Sequence, residues 1–170
     1  LKNLKKKIKV KFFKCDVENF KKLSSIIKRL KPKLIIHCAG QVAVTTSVKN
    51  PRSDFNSNAL GTLNVLESIR LNSNKTKLIF LSTNKVYGDV SNRLLKSSKK
   101  RYSFKGKLKS IDENYPLDLH SPYGCSKGAA DQYVRDYSRV FMIDAVVLRM
   151  SCIYGNMQFG IEDQGWITWL

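Results

Sequence analysis

Apolar and polar positions alternate between strand-like and helix-like spacing along the first half of the chain. Residues 8–13 alternate apolar side chains with lysine and then become apolar without interruption, which predicts a strand that ends before Asp16. Apolar residues recur at helical spacing over 20–30, and Pro32 ends that helix. The short apolar run 34–38 then predicts a buried strand.

The alternation continues through the second half. Helices are predicted over 51–69, where a proline opens an apolar face, and over 121–141, where Ser121 is the expected N-cap. Residues 78–81 and 145–148 are short apolar runs that predict strands. Strands that alternate with helices predict an α/β fold with a parallel sheet and helices on both faces, because parallel strands need crossover connections.

The composition fits one globular domain without a metal site. The chain has 170 residues, of which 42% are hydrophobic, and no uncharged apolar run approaches the roughly 18 residues of a membrane helix. Four cysteines, at 15, 38, 125 and 152, show no Cys-x-x-Cys spacing, and the chain has two histidines. We therefore expect a soluble, cytoplasmic protein with reduced thiols, no membrane partner and no metal, in which Cys125 and Cys152 are packing residues.

The formal charge of +18 is concentrated in two runs. Seven lysines lie between residues 2 and 14, and eight basic residues lie between 93 and 109, in a segment (90–119) whose lack of sustained periodicity predicts a long excursion or loop. The runs are either solvated surface lysines or a face for polyanions, and the second interpretation requires both runs to meet on one surface. Arginines that read a nucleic-acid groove are scarce, so nucleic acid is not the expected partner.

Polar residues follow three of the predicted strands. They lie at 37–40, 82–84 and 151–155, and the reactive groups of a parallel sheet belong at the carboxyl ends of its strands. The last predicted helix places Tyr123 and Lys127 four residues apart on one face. A Tyr-x-x-x-Lys pair alone arises by chance in a chain this rich in lysine, so its position beside the strand ends is what indicates a site.

Five short motifs stand in an order that is typical of one enzyme family. They are Ala39-Gly40, Asn58 before Gly61-Thr62, Ser82-Thr83 before Val86-Tyr87-Gly88, Tyr123 with Lys127, and Arg149 before Tyr154-Gly155. Together they resemble the extended short-chain dehydrogenases/reductases, the family of the sugar-nucleotide epimerases and dehydratases. Four longer runs, at 39–47, 82–89, 120–133 and 163–166, resemble within that family the enzymes that invert carbon 2 of a CDP-sugar.

The resemblance implies a Rossmann-like, doubly wound parallel sheet and an isomerase that keeps NAD bound. It implies inversion of carbon 2 of CDP-paratose to give CDP-tyvelose through a transient 2-keto sugar, with NAD returned unchanged. Two alternatives stay open: another nucleotide-sugar 4-epimerase or 4,6-dehydratase of the family, and a non-catalytic basic Rossmann-like binding module. Asn84-Lys85 after Thr83 speaks against the dehydratase, because no Asp-Glu pair stands there to act as acid and base.

The resemblance also assigns roles to single residues. Tyr123 is the implied base, Lys127 lowers its pKa and holds the nicotinamide ribose, and Thr83 hydrogen-bonds the reacting oxygen or the phenolate. Lowering a tyrosine pKa by roughly 3 takes about 4 kcal/mol, and one charge at about 6 Å provides about 2.8 kcal/mol at an effective dielectric near 20. The other implied contacts are Asp16, Val17, Ala39 and Gly40 for NAD, Gln41, Thr45, Asn84 and Ser151 for the sugar, and Asn58 as a structural support.

Two parts of the family pattern are missing from the sequence. The glycine-rich phosphate loop belongs to a first strand and helix, but the first glycine here is Gly40, and the later substrate-binding part is absent too. We therefore expect residues 1–170 to be a partial NAD-binding Rossmann domain, with 90–119 as a basic excursion and 156–170 as the start of the substrate-binding part. Such a fragment is expected to bind NAD poorly, to be inactive alone, and to belong to a longer, homo-oligomeric parent.

Overall fold

The computed structural model describes residues 10–89, 95–106, 110–161 and 163–170. In chain order its elements are helix α1 (Phe20–Leu30), strand β1 (Leu34–His37), helices α2 (Val44–Lys49) and α3 (Pro51–Phe55), a π-helical turn (Asn56–Leu60), α4 (Gly61–Asn72), β2 (Lys77–Thr83), a 3₁₀ turn (Asn84–Tyr87), β3 (Leu95–Ser97), β4 (Tyr102–Phe104), α5 (Ser121–Val140), β5 (Ala145–Met150) and α6 (Trp166–Trp169). The strands predicted at 34–38, 78–81 and 145–148 are confirmed as β1, β2 and β5. None of the helices in these ranges is both long and apolar enough to span a bilayer.

The three strands β1, β2 and β5 form one parallel sheet with β2 in the middle. Leu34 pairs with Lys77 at the start of one ladder, and Leu78 pairs with Ala145 at the start of the other. Because the strands run in the same direction, their carboxyl ends lie side by side at one edge of the sheet. The α/β parallel fold predicted from the sequence is confirmed, and the site residues gather at that edge.

Helices α4 and α5 pack against one face of the sheet. The core between them consists of Val65, Leu66, Ile69, Leu78, Phe80, Ala130, Val134, Tyr137 and Ile143. Burying a large apolar side chain stabilises the fold by about 1.5–3 kcal/mol. On the opposite face Ile36 and Val146 are in register through Ile79 and are 57% and 50% exposed. Helices were predicted on both faces of the sheet, but within the described ranges they cover one face.

The helix predicted over 51–69 is interrupted by the π-helical turn. It begins behind Asn50, whose Oδ1 accepts the Ser53 amide at 3.1 Å. Single π turns inside α-helices occur frequently at functional sites. Here the turn carries Asn58, the predicted support residue, which is 1% exposed.

The strand predicted over 8–13 is wrong for its described part. Residues 10–13 form no strand, and residues 8 and 9 lie outside the described ranges. A strand is stabilised by a hydrogen-bonded neighbour, and none of the described strands pairs with these residues. Phe12 is 62% exposed, so the apolar pattern of this segment is not matched by burial in the structure.

The excursion predicted over 90–119 is not wholly a loop, because it contains an antiparallel hairpin of β3 and β4. Leu95 pairs with Phe104, and the Ser98 Oγ closes the turn by donating to the Arg101 carbonyl oxygen at 2.8 Å. Each strand has three residues, which is too short for a sustained alternation to be visible in the sequence. We call residues 95–106 the basic hairpin.

Candidate active site

A cavity of about 370 Å³ opens at the carboxyl ends of the three parallel strands. Six of the predicted site residues line it: Gly40, Thr83, Asn84, Tyr123, Lys127 and Ser151. Its volume lies in the range of small-molecule sites. The sheet edge and the first turns of α5 therefore bring the three predicted catalytic residues, Thr83, Tyr123 and Lys127, into one place.

Tyr123 lies in the first turn of α5, where two serines satisfy amides that have no partner within the helix. The Ser121 Oγ accepts the Gly124 amide at 3.2 Å, which confirms the predicted capping role of Ser121. The Tyr123 amide donates to the Ser47 Oγ of α2, also at 3.2 Å. The backbone of Tyr123 is thus fixed by another helix as well as by its own.

The Tyr123 side chain is buried at the cavity wall. Burial raises the pKa of its phenol, a hydrogen bond with the Thr83 hydroxyl lowers it, and the Asp54 carboxylate raises it, so that the net direction is upward. That direction is opposite to the lowering expected from Lys127. The phenol therefore needs an additional positive charge beside it before it can act as a base near neutral pH.

Lys127 lies one turn further along α5 and is 7% exposed. Its Nζ donates to the Leu81 carbonyl oxygen at 2.6 Å and lies 4.3 Å from the centroid of the Phe80 ring. Burial lowers its pKa to about 8, while the charges of Asp131 and Asp54 oppose that effect. The ammonium group is thus held against strand β2, and its charge is not among the causes that shift the Tyr123 pKa.

Thr83 ends the central strand and joins it to the 3₁₀ turn. Its Oγ1 accepts the Lys85 amide at 3.2 Å, and the Asn84 Oδ1 lies 3.5 Å from the same oxygen. Thr83 and Tyr123 both line the cavity, and the Thr83 hydroxyl lowers the pKa of the phenol. This is the position that the family resemblance implies for it.

A buried ion pair lies beneath the cavity and was not predicted from the sequence. Arg149 donates to both carboxylate oxygens of Asp131, from Nε and Nη2, at 2.9 Å each. The Ser82 Oγ donates to the same carboxylate at 2.9 Å, and Arg149 Nη1 donates to the Tyr87 hydroxyl at 3.0 Å. Asp131 lies four residues after Lys127, so helical spacing was the one sequence signal that could have placed it on this face.

Asn58 has the buried position expected of a support residue. Its Nδ2 donates to the Asp54 Oδ1 and to the Ser126 Oγ, at 3.1 Å in each case. Its Oδ1 is buried without a hydrogen-bond partner in the described part of the chain. A Cβ at Gly40 would lie 2.5 Å from that oxygen, so the missing side chain of Gly40 makes room for Asn58.

Five predicted contact residues do not line the cavity: Asp16, Val17, Ala39, Gln41 and Thr45. Asp16 is exposed and accepts the Glu18 amide at 2.9 Å, in a turn whose Val17 carbonyl is held by Asn64 of α4 at 2.8 Å. Gln41 closes a local turn by bonding to both the amide and the carbonyl of Ala43. Ala39 and Thr45 are exposed.

Three lining residues, Lys85, Gln158 and Gln164, were missed by the sequence analysis. Cys38 and Cys152 also line the cavity and belong to the segments 37–40 and 151–155 that were expected at the strand ends. The Gln164 Nε2 donates to the Val42 carbonyl oxygen at 2.8 Å, which connects the last part of the chain to the loop after β1. Cys152 is exposed and so is Cys125, so the interpretation of both as packing residues is wrong.

A family model described as GDP-mannose 4,6 dehydratase matches residues 1–162 of the chain. The chain is 47% identical over 154 residues to the CDP-paratose 2-epimerase of Salmonella typhi, covering 91% of this chain and 46% of that protein. It is 34% identical over 151 residues to a putative UDP-glucose 4-epimerase of Methanocaldococcus jannaschii, covering 88% of this chain and 44% of that one. The chain thus spans about half the length of the curated relatives it matches.

Solved structures give the same picture of the fold. The UDP-glucose 4-epimerase of Thermus thermophilus, in complex with NAD, matches with a TM-score of 0.74 and 30% identity over 88% of this chain and 43% of that chain. The UDP-glucose 4-epimerase of Thermotoga maritima, with UDP-glucose, matches with a TM-score of 0.77 and 25% identity over 92% and 46%. The fold is Rossmann-like, and its three-stranded sheet is part of the larger sheet of that fold. The chain therefore belongs to the GDP-mannose 4,6 dehydratase family within the extended short-chain dehydrogenases/reductases.

Proposed function

We propose that this chain is part of an NAD-dependent isomerase that inverts carbon 2 of CDP-paratose to give CDP-tyvelose. The observation that carries the proposal is the cavity in which Tyr123, Lys127 and Thr83 converge at the strand ends. The 47% identity to a CDP-paratose 2-epimerase supports the choice of substrate and of carbon 2. Inversion proceeds by oxidation of that carbon to a ketone and reduction on its other face.

Tyr123 moves the proton in this proposal. Its phenolate oxygen takes the proton of the sugar 2-hydroxyl and later returns it. Because burial raises the Tyr123 pKa, the phenolate has to be stabilised by its neighbours. The Thr83 hydroxyl donates to it, and the Lys127 ammonium stabilises it electrostatically once Nζ moves from the Leu81 carbonyl toward the cavity.

The chemistry of the donor set fits a dinucleotide. The Lys127 ammonium and the Tyr123 hydroxyl are donors suited to ribose hydroxyls, and Met150 and Ile153 give the same cavity an apolar wall. NAD, when bound, accepts the carbon-2 hydrogen as hydride and returns it. Neighbours solved in complex with NAD support this cofactor. The residues proposed to hold it are Asp16, Val17, Ala39, Gly40, Tyr123 and Lys127, of which Gly40, Tyr123 and Lys127 line the cavity and the other three rest on the resemblance.

The sugar contacts are proposed with two kinds of support. Thr83, Asn84 and Ser151 line the cavity, so geometry and resemblance agree for them. Gln41 and Thr45 lie outside its lining, and their proposed contacts rest on the resemblance. The proposed division into a partial NAD-binding domain and the start of a substrate-binding part at 156–170 is supported by Gln158 and Gln164, which reach the cavity from that segment.

The test is the fate of the carbon-2 hydrogen in the full-length enzyme. CDP-paratose is incubated in heavy water and the product is analysed by proton NMR. We expect CDP-tyvelose that keeps its original carbon-2 hydrogen, because the hydride stays in the site. Tyr123→Phe should lower kcat roughly 10³-fold, since general acid–base catalysis contributes about that much. The matched control is Tyr133→Phe on the same helix, where Tyr133 is 46% exposed and outside the cavity.

The same experiment distinguishes the alternatives within the family. Deuterium at carbon 2 of the product would contradict return of the hydride. Because CDP-paratose has no 6-hydroxyl to eliminate, the same analysis is repeated with UDP-glucose and dTDP-glucose. Inversion at carbon 4 would identify a 4-epimerase and a 4-keto-6-deoxy product would identify a 4,6-dehydratase, and relatives of both kinds exist. Asn84 and Lys85 occupy the positions after Thr83, and neither is the carboxylate that the dehydratase reaction would use there.

We also propose that the enzyme works in the cytoplasm as a homo-oligomer. All four cysteines are free thiols, which favours a reducing compartment. Apolar side chains are exposed on the helices around the site, among them Val48 on α2 (62%) and Phe55 on α3 (54%), and a second copy would cover such surface.

A further inference from the structure

Two helices in front of α5 contact its catalytic turn, residues 123–127, through buried polar groups that the proposed chemistry does not use. From α2, the Ser47 Oγ accepts the Tyr123 amide at 3.2 Å and donates to the Val44 carbonyl oxygen at 2.7 Å. From α3, the Asp54 carboxylate accepts a hydrogen bond from the Ser126 Oγ. The first contact holds the start of the turn and the second holds its end.

The Asp54 contact belongs to a closed triangle of hydrogen bonds. Asn58 Nδ2 donates to Asp54 Oδ1 and to Ser126 Oγ at 3.1 Å each, and Ser126 Oγ donates to Asp54 Oδ2. Each carboxylate oxygen therefore accepts one bond, and the Ser126 Oγ also lies 3.2 Å from a second acceptor, the Tyr123 carbonyl oxygen. We call Asp54, Asn58 and Ser126 the Asp54 triangle.

The triangle holds a charge that is costly to bury. Asp54 is 1% exposed, and no lysine, arginine or histidine of the described residues forms an ion pair with it. A buried carboxylate without a cationic partner usually destabilises a fold unless hydrogen bonds compensate. The position of the charge is consequently informative, because it lies next to the turn that carries Tyr123 and Lys127.

We propose that Ser47 and Asp54 are positioning residues for Tyr123, which fix the catalytic turn through their hydrogen bonds and place a buried negative charge beside it. This inference rests on the proposed role of Tyr123 as the base. It adds two residues that touch neither sugar nor reacting atoms and act through Tyr123 and Ser126. Asp54 acts through its charge and its hydrogen bond, and Ser47 acts through its hydrogen bond alone.

Other titratable groups surround the same cavity, and the test has to separate Asp54 from them. The lining contains Cys38, Lys85, Lys127, Cys152 and Tyr154, while His37 and Asp131 lie outside it and interact electrostatically with Lys127. Two buried carboxylates lie near the catalytic turn. Asp131 is neutralised by Arg149, whereas Asp54 is not paired with a cation in the described ranges. Asp54→Asn therefore removes one unpaired charge and leaves the ion pair intact.

The experiment is a spectroscopic titration of tyrosinate in the full-length enzyme, which needs no turnover. The Tyr123 signal is the difference between wild type and Tyr123→Phe. We expect Asp54→Asn to lower the Tyr123 pKa, so that the tyrosinate fraction at a fixed pH rises above that of the wild type. The acid limb of the kcat/KM profile should move in the same direction. Ser126→Ala, which keeps the charge and removes the bond, should lower kcat with a smaller change in the Tyr123 titration.

A merely structural role gives different results. The matched control is Ser68→Ala, at a buried α4 serine whose Oγ donates to the Asn64 carbonyl oxygen at 2.7 Å, away from the catalytic turn. It should lower thermal stability and leave the Tyr123 titration unchanged. If Asp54→Asn behaves like Ser68→Ala, the proposal is overturned. If Asp54→Asn does not fold, Ser47→Ala tests the positioning half through kcat alone, and unchanged kcat would overturn it. If the wild type does not catalyse the epimerase reaction but Asp54→Asn still shifts the Tyr123 titration, the proposed function is wrong and the effect of Asp54 on Tyr123 stands.

Discussion

The catalytic turn and the basic hairpin hold their charged side chains in opposite ways. Around the turn, Lys127, Asp54 and Asp131 are at most 7% exposed, and each is hydrogen-bonded to a named partner. In the hairpin, Lys96, Lys99, Lys100, Arg101 and Lys105 are all exposed, and residues 95–106 contain no acidic residue. The turn has three of these charged side chains and the hairpin has five. The regions differ in whether hydrogen bonds and packing fix the positions of those side chains.

Buried charged side chains therefore depend on a particular surrounding structure, whereas exposed ones do not. A buried ionic group destabilises the fold unless hydrogen bonds and counter-charges surround it, so its position is defined by several other residues. An exposed lysine keeps its hydration, and salt screens its interactions beyond about 10 Å. The net charge of +18 therefore says less about function than the three buried groups near Tyr123.

The largest stability effect is expected from the buried ion pair. Arg149→Met leaves the Asp131 carboxylate buried without its cation, and we expect a loss of roughly 3–5 kcal/mol in the free energy of unfolding. The matched control is Arg70→Met. Arg70 also donates two bonds to one carboxylate, that of Glu67, and its guanidinium also lies 5.1 Å from an aromatic ring centroid.

The two arginines differ in burial, and Arg149 also donates to the Tyr87 hydroxyl and the Glu113 carbonyl oxygen. The Arg149 side chain is 9% exposed and that of Arg70 is 36% exposed, and for the exposed pair we expect a loss below about 1 kcal/mol. Urea-induced unfolding of both variants provides the measurement. Equal losses would show that burial does not govern these interactions here.

A smaller effect, one that depends on pH, is expected from His37. Burial lowers its pKa to about 4 from 6.5, and the charge of Lys127 lowers it too. Between these values the unfolded chain binds a proton that the folded chain does not, so stability rises with pH in this window and is lost as the pH falls through it. The loss at pH 4 is roughly 3 kcal/mol for this group.

The His37 contribution is measured as a difference between variants. Unfolding is followed from pH 7 to pH 4 in wild type and in His37→Gln, which has no group to titrate in this range. The wild type should lose stability more steeply than His37→Gln. His120→Gln, at a histidine that is 56% exposed, is the control substitution. Parallel curves for wild type and His37→Gln would contradict the prediction.

The sequence predicts the elements whose pattern is local and long enough. The apolar runs at 34–38, 78–81 and 145–148 became the parallel strands, and the periodic segment 51–69 became helical. Residues 10–13 have a strand pattern without a described neighbour, and a pattern cannot create a ladder by itself. Helix α2 was missed because it has six residues, Val44–Lys49, with three β-branched side chains in its first three positions.

The candidate site likewise has residues that the sequence predicts and contacts that it does not. Tyr123, Lys127 and Thr83 were predicted because motifs and strand ends mark them, and the structure brings them to one cavity. The contact between Asp54 and Ser126 joins residues 72 positions apart, so no local pattern indicates it. The direction of the Lys127 ammonium, toward Leu81, depends on side-chain packing that the sequence does not record.

The smallest effect is expected from the basic hairpin, and it tests directly whether its exposed charges have a function. The triple variant Lys99→Ser, Lys100→Ser and Arg101→Ser removes the charges at the turn and keeps the bond between Ser98 and the Arg101 backbone carbonyl. Because these side chains are exposed, we expect the free energy of unfolding to change by less than about 0.5 kcal/mol and kcat to stay unchanged. Wild type should bind RNA only at low salt, and the variant should show a salt dependence lowered by about 3 in slope, because three phosphate contacts are lost. If wild type binds RNA at physiological salt and the variant does not, the basic binding module is favoured instead. If the variant loses turnover, the hairpin belongs to the active site.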